Sequence, residues 1–538
     1  MTTPAAATAG DATAGDATAG DATAGDATAG DATAGDATAG DATAERILAN
    51  VASPATDDAF DPGAALDGLL GCVGMSGADA GGRVAFVGAD PVVPSALRLG
   101  GGAAVALAAK SVGMAAVHRD RGGDGQDVTV DVRRAPHRLC PFYDRRWELV
   151  NGYPAASPAI TSQALGFSFH RTRDDRWVMP LNPYPALRAR AETFLGAPES
   201  GVADAIARWD AAELEEAASD VGIVMPMART PGEWLATEQH AALAGTPPIT
   251  LRRIGDAPPE PFPQRRRADL PLDGLRALGM GHVIAGAGTG RALALHGADV
   301  LNIWRPTEFE HDSTYVTANV GVRSATVDPH TADGAALLRG LLADADVFYA
   351  NRRPGYLARL GLSAEEAAAV RPGIVHATNT LHGPVGPWAH RVGFDQSAGT
   401  LVGMMTLEGG SATDPTVTPR LSPILVVNDY IVSWLTAAGI AAALRRRAVE
   451  GGSWAVEVSL ARAALWMLEL GVLDLGYARE VAGTGERHAY PAPETFTAQT
   501  PLGHYQGVTD QVTMSATPGE YRTVLVPRGS GRPEWLPR

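Results

Sequence analysis

The stretch LRALGMGHVIAGAGTGRALALHGADVLNIW, Leu275 to Trp304, decides the fold class. GHVIAG reads as a short buried strand, the glycines of GAGTG as a turn, the residues after them as an amphipathic helix, and DVLNI as a second strand. Strand, crossover helix and strand within about 30 residues make the βαβ unit of a parallel sheet. Outward from this unit, Ala/Gly-rich helical patterns alternate with the apolar runs AFVG, VTVDV, DVFYA and GIVHA. The alternation predicts an α/β fold with buried parallel strands.

A chain of 538 residues can bury a large core and is expected to form two or more domains. With 45% hydrophobic residues and a formal charge of −16, it has no general electrostatic reason to bind nucleic acid or an anionic membrane. Small molecules and protein chains are the expected partners. Cys72 and Cys140 lie outside any CxxC or Cys/His spacing, which argues against a disulfide framework or structural zinc and suits a reducing cytoplasm. The N-terminal MTTPAAATAG lacks a basic and an apolar region, and no apolar run is read as reaching the roughly 18 to 20 residues that span a bilayer. Neither secretion nor a membrane span is expected.

From Ala7 to Asp41 the sequence repeats ATAGD and ends in ATAE. Without large apolar side chains this tail, residues 1–45, is expected to be disordered. Beyond it lies an internal echo. FDPGAALDGLLG (Phe60 to Gly71) resembles FDQSAGTLVGMM (Phe394 to Met405), and GMAAVHRDRGGDGQDVTVDV (Gly113 to Val132) superposes without gaps on GIAAALRRRAVEGGSWAVEV (Gly439 to Val458). In that register Asp429 of the second copy corresponds to Ala103 of the first. Between the copies FHRTRDDRWVMPL reads as a hairpin, and a Pro- and Arg-rich linker near residues 257–272 marks the expected domain boundary.

Several motifs have chemical and structural readings. Gly286, Gly288 and Gly290 could admit a phosphate at a helix N-terminus, but the spacing is not GxGxxG, and Trp304 and Arg305 occupy the place of a ribose-binding acid. Tight strand–helix packing is the competing reading. In ADVFYANRRPGYLARLGL a strand runs into Asn351-Arg352-Arg353, putting guanidinium groups at the carboxyl end of a sheet strand; with Arg305 and Arg359 they could hold phosphates, or form a solvated loop. His382 and His390 read as loop residues and Asp395 as a cap of the helix it begins. Asp429, heading the apolar LVVNDYIVSWLTAAGIAAAL, reads either as an N-cap or as a nucleophilic carboxylate at a partly dry helix N-terminus.

In order and spacing, DGLRALGMGHVIAGAGTGRALALHGADVLNIWRP, NVGVRSATVD, ADVFYANRRPGYLARLGL, RPGIVHATNTLHGPVGPWAHRVGFDQSAGTLVGMM and the Asp429 helix resemble class III CoA-transferases, the CaiB/BaiF family that includes formyl-CoA transferase. The resemblance covers Asp273 to about Leu460. It implies a Rossmann-like large domain, a smaller α+β domain and a dimer of interlocked rings. It also implies that Asp429 is the catalytic aspartate of a transfer between an acyl-CoA and a carboxylic acid, with coenzyme A as substrate and no metal or redox cofactor. By the same comparison Arg305, Asn351 and Arg359 fall at positions that contact CoA, and Arg353 lies in the matching loop. Val322 replaces a lysine of the family pattern and Arg352 an aromatic. Related racemases place a histidine where Phe394 stands in Gly393-Phe394-Asp395, which makes racemisation the less favoured alternative. A CoA-binding protein without activity and an NAD(P)-dependent oxidoreductase are further alternatives.

The chain order is unusual for this family. The expected organisation is a degenerate half-copy over 46–140, a small α+β domain over 141–256, a linker over 257–272, the catalytic domain over 273–484 and a C-terminal return over 485–538. The first half is expected to complement the second, within one chain or across a dimer.

Overall fold

The computed structural model describes residues 34–155 and 164–538, with the backbone alone for 34–41. In chain order, helices Ala34–Ala52 and Pro62–Gly71 lead to β1 (Gly81–Val87), the long helix Leu99–Asp120 and β2 (Gln126–Asp131). The short strands β3 (Leu149–Val150), β4 (Tyr153–Pro154), β5 (His170–Arg171) and β6 (Trp177–Val178) precede a helical stretch and β7 (Thr250–Gly255). Then come β8 (Arg276–Met280), β9 (Asp299–Trp304), β10 (Arg323–Thr326), β11 (Val347–Ala350), β12 (Val375–Thr380) and β13 (Ser453–Ser459), and finally β14 (Thr495–Thr500), β15 (Gly503–Val508) and β16 (Val512–Met514).

The main sheet has the order β10-β9-β8-β11-β12-β13-β7. Its first six strands are parallel, and β7 closes the edge antiparallel to β13. This is the doubly wound α/β order, which reverses direction between β8 and β11 and opens a crevice at their carboxyl ends. β5 and β6 form the expected hairpin. β7 belongs to the main sheet although the sequence assigns it to the upstream α+β segment.

The first strand of the sheet is RALGM rather than GHVIAG. Every residue of RALGM is buried, as suits a strand covered on both faces, whereas Val283 of GHVIAG sits in the left-handed region at φ 57° and cannot continue a strand. GAGTG is therefore not the turn: Gly286, Gly288 and Gly290 lie inside the helix Ala285–Leu295.

The helix Asn428–Glu450 is buried along nearly its whole length, between helix Ala285–Leu295, β12 and β13 on one side and helix Leu99–Asp120 on the other. Small residues set the approach of the two long helices: a Cβ on Gly113 would lie 3.0 Å from the Cβ of Ala441. Contrary to the sequence expectation, helix Leu99–Asp120 is long and apolar enough to cross a membrane, but its apolar window is wholly inside the fold. Both echoed stretches fold as helix followed by strand.

Strands distant in sequence join the two ends of the chain. β1 and β2 are parallel neighbours, with β16 antiparallel to β2, and β3 and β4 extend the β14-β15 hairpin. The expected disordered tail lies outside the described residues as far as residue 33. From Ala34 the last repeats form the start of helix Ala34–Ala52, which buries Ile47 and Val51 in its final turns. Alanine-rich repeats extend a helix once its other end is docked.

Candidate active site

Asp429 occupies the first turn of helix Asn428–Glu450 and is 6% exposed. It does not cap that helix. The cap residue is Val427, and the orphan N–H groups are taken by Asp395, the first residue of helix Asp395–Val402. The Asp395 Oδ2 accepts from Val427 N (3.1 Å), Asp429 N (2.8 Å) and the N–H of Asn428. Asp395 thus caps a neighbouring helix rather than its own, which corrects both capping expectations. In the first copy Asp90 does the same for helix Leu99–Asp120, accepting from Gly100 N (2.9 Å) and Gly101 N (2.5 Å). Ala103, the counterpart of Asp429, is buried in that helix, so the helix forms without an acid there.

The Asp429 carboxylate accepts no hydrogen bond among the described residues and lines a cavity of about 220 Å³. Burial, then the like charges of Asp395 and Glu310, push its carboxyl well above the ordinary carboxylate range. Burial also pushes Asp395 up, to about 6, against the pull of its three N–H donors. The N–H donors at Asp395 favour its ionised form, whereas at Asp429 burial and the neighbouring like charges favour the protonated form.

A second carboxylate, Glu310, is fully employed. It accepts Tyr184 OH (2.6 Å), Val283 N (2.7 Å) and His311 N (3.0 Å), and His282 Nδ1 stands 3.5 Å away. Burial pushes Glu310 up, but His282, Tyr184 and the Val283 N–H outweigh it and hold the carboxyl below its ordinary range. Tyr184 comes from the upstream α+β segment; its ring stacks on Phe394 at 5.7 Å, and burial followed by the Glu310 charge keeps its hydroxyl neutral. Two cavity-lining residues have strained left-handed backbones, Val283 at φ 57° and Leu425 at φ 73°. The first is held by Glu310 and the second by Gln396 Nε2, which donates to the Leu425 carbonyl at 2.9 Å.

The expected CoA-binding residues sit at the carboxyl edge of the sheet, and none of them lines the Asp429 cavity. Arg305 and Arg359, with Arg352, surround the ring of Tyr356 at 5.8–6.0 Å. Arg352 is also paired with Glu308, whose carboxyl burial raises but Arg352 brings down to about 2. Arg353 turns away to the Gly222 carbonyl at 3.4 Å. Asn351 is a clamp, its Oδ1 accepting His282 N (2.9 Å) and its Nδ2 donating to His282 O (2.7 Å).

The glycines of GAGTG face protein. A Cβ on Gly286 would come within 2.2 Å of Asn351 Oδ1, on Gly288 within 2.6 Å of Ser433 Oγ, and on Gly290 within 2.2 Å of Tyr349 OH. Close packing, rather than phosphate binding, accounts for all three. Sequence reasoning missed Glu310 and Tyr184. The acids of WRPTEFEHD just beyond β9 were a visible signal for the first, whereas Tyr184 sits in a segment with no motif.

Residues 272–528 match the model of CoA-transferase family III. It is 30% identical over 224 residues to the succinyl-CoA–L-malate CoA-transferase alpha subunit of Chloroflexus aurantiacus, covering 39% of this chain and 51% of that one. It is 28% identical over 202 residues to the succinyl-CoA:glutarate CoA-transferase of Mus musculus, covering 35% and 45%. Among solved structures, a CaiB/BaiF family protein from Brucella suis matches with a TM-score of 0.33 and 26% identity, over 44% of this chain and 65% of that one. The chain spans about half the length of the curated relatives it matches.

Proposed function

We propose that the protein is a CoA-transferase that moves coenzyme A between an acyl-CoA thioester and a carboxylic acid, with Asp429 as nucleophile. The observation that carries this reading is the division of labour between two acids: Asp395 serves the helix, and the Asp429 carboxylate, with no structural bond to make, faces a cavity. In the forward half, ionised Asp429 attacks the thioester carbonyl, breaking the C–S bond to give a mixed anhydride and CoA thiolate. The thiolate then attacks the Asp429 carbonyl of the anhydride, forming an aspartyl-CoA thioester and releasing the donor as a free carboxylate. An acceptor carboxylate runs the same steps in reverse. Splitting one exchange into a series of acyl transfers lowers each barrier.

Arg305 and Arg359, gathered at Tyr356, are the proposed partners for CoA phosphates, whereas Arg353, bonded to the Gly222 carbonyl, would have to swing back to join them; Asn351 contributes by fixing the loop that begins at Gly281. Phe394, stacked on Tyr184, puts an apolar ring at the position where the resembling racemases carry their histidine, which favours transfer over racemisation. The test is intact-mass analysis after incubation with acyl-CoAs and borohydride or hydroxylamine trapping. A covalent product mapped to Asp429, lost in Asp429→Ala, is expected; a panel of donors that leaves no adduct would sink the reading.

A further inference from the structure

The cavity beside Asp429 combines an apolar wall with very few charges. Phe142, Phe167, Leu181, Tyr184, Phe394 and Leu425 supply most of that wall. Its polar side includes Ser313 and His311, and Ser313 Oγ and His311 Nε2 are buried with no hydrogen-bond partner among the described residues. Burial pulls the His311 imidazole below its ordinary range, which disfavours its charged form. Among the described residues the one guanidinium on the lining is Arg145, which is solvent-exposed. A second carboxylate on the acyl group would therefore be buried near Asp429 and Glu310 without a cation inside the cavity. An unpaired buried charge is strongly disfavoured. In size, about 220 Å³ exceeds the ~150 Å³ apolar cavity that holds a benzene ring.

We propose that this site selects the acyl group of a compact, apolar monocarboxylic acid, of the bulk of a phenyl or a short branched alkyl group, and rejects dicarboxylic acyl groups. The inference rests on the transferase reading above. The acyl body lies against Phe167 and Leu181, and Ser313 Oγ donates a hydrogen bond to its carbonyl or carboxylate oxygen. The relatives named above for succinyl-CoA, malate and glutarate would then differ from this chain in the substrates they accept.

Self-exchange separates the two readings, because a CoA-transferase returns CoA to the same acid it has released. The full chain is incubated with ¹³C-labelled benzoate plus benzoyl-CoA, with 3-methylbutanoate plus its CoA ester, and with succinate plus succinyl-CoA. Label entering each thioester is followed by mass spectrometry. Exchange with benzoyl or 3-methylbutanoyl at least roughly 100-fold faster than with succinyl is expected from the burial penalty of an unpaired carboxylate. Succinate exchanging as fast or faster overturns this inference and leaves the transferase reading intact. Absence of exchange with all three acids overturns both. Phe167→Arg, at a half-buried position, is expected to raise succinyl relative to benzoyl exchange by about tenfold or more if it melts like the parent chain. An unchanged ratio in a folded variant counts against the wall as the selector.

Discussion

At the residue scale, Asp395 is bonded to the helix N–H groups, and the proposed reading leaves the chemistry to Asp429. Asp429→Ala is expected to abolish label exchange while CoA binding, followed by calorimetry, persists. Asp429→Asn tests the electrostatics. Burial, Asp395 and Glu310 raise the folded carboxyl above its unfolded value, so the folded chain keeps a proton that the unfolded chain has released. That contribution is most favourable at pH below the unfolded value near 3.8, and it declines as pH rises toward the raised folded value. Asp429→Asn should therefore melt higher than the parent at pH 8, by the equivalent of about 1–3 kcal/mol, with the gain fading toward pH 4. The same shift requires the exchange rate to rise with pH as Asp429 ionises. Asp395→Asn removes a like charge and should move that limb to lower pH, whereas Asp395→Ala leaves three buried N–H groups unpaired and should cost about 2–4 kcal/mol in denaturant melts. The place of Asp429 at the head of an apolar helix was legible in the sequence. The partner that caps the helix was not, because a carboxylate 34 residues upstream carries no local mark of the helix it serves.

At the scale of elements, the helix Ala285–Leu295 sets where Asp429 stands. Ser433 Oγ, one turn beyond Asp429, donates to the carbonyls of Ala285 (2.9 Å) and Ile284 (3.2 Å), a contact that the bare Cα of Gly288 permits. Gly288→Ala should separate the two helices, costing about 1–3 kcal/mol in thermal melts and lowering exchange more than stability alone explains. The βαβ alternation was readable from composition, and the order of the strands follows the doubly wound pattern. The first strand was misplaced by a few residues because RALGM and GHVIAG are both short apolar runs, and periodicity cannot tell a buried strand from a strained apolar turn. What separates them is the left-handed Val283, held by a glutamate that lies beyond the following strand.

At the scale of the whole molecule, the two echoed halves close on each other within one chain. Helix Leu99–Asp120 covers the Asp429 helix, β2 pairs with β16, and Arg138 lies 4.3 Å above the ring of Tyr430. Residues 271–538 expressed alone should consequently be unstable and inactive, and co-expression with 46–256 should restore soluble, exchanging protein; a stable, fully active fragment would defeat this. The echo was visible in the sequence, but contacts such as the buried pairs of Asp510 with Lys110 and Arg138 link positions with no common motif. Lys110→Met should cost about 3 kcal/mol, read by denaturant melts, because Asp510 loses a buried counter-charge. The same triad bears on how the chain is made. Lys110 and Arg138 leave the ribosome hundreds of residues before Asp510, so the covering half must wait with two cations unmatched until Asp510 has emerged. A chain cut before Asp510 should then be as damaged as the Asp429→Ala variant, by leaving a nascent chain that cannot close and is exposed to proteolysis.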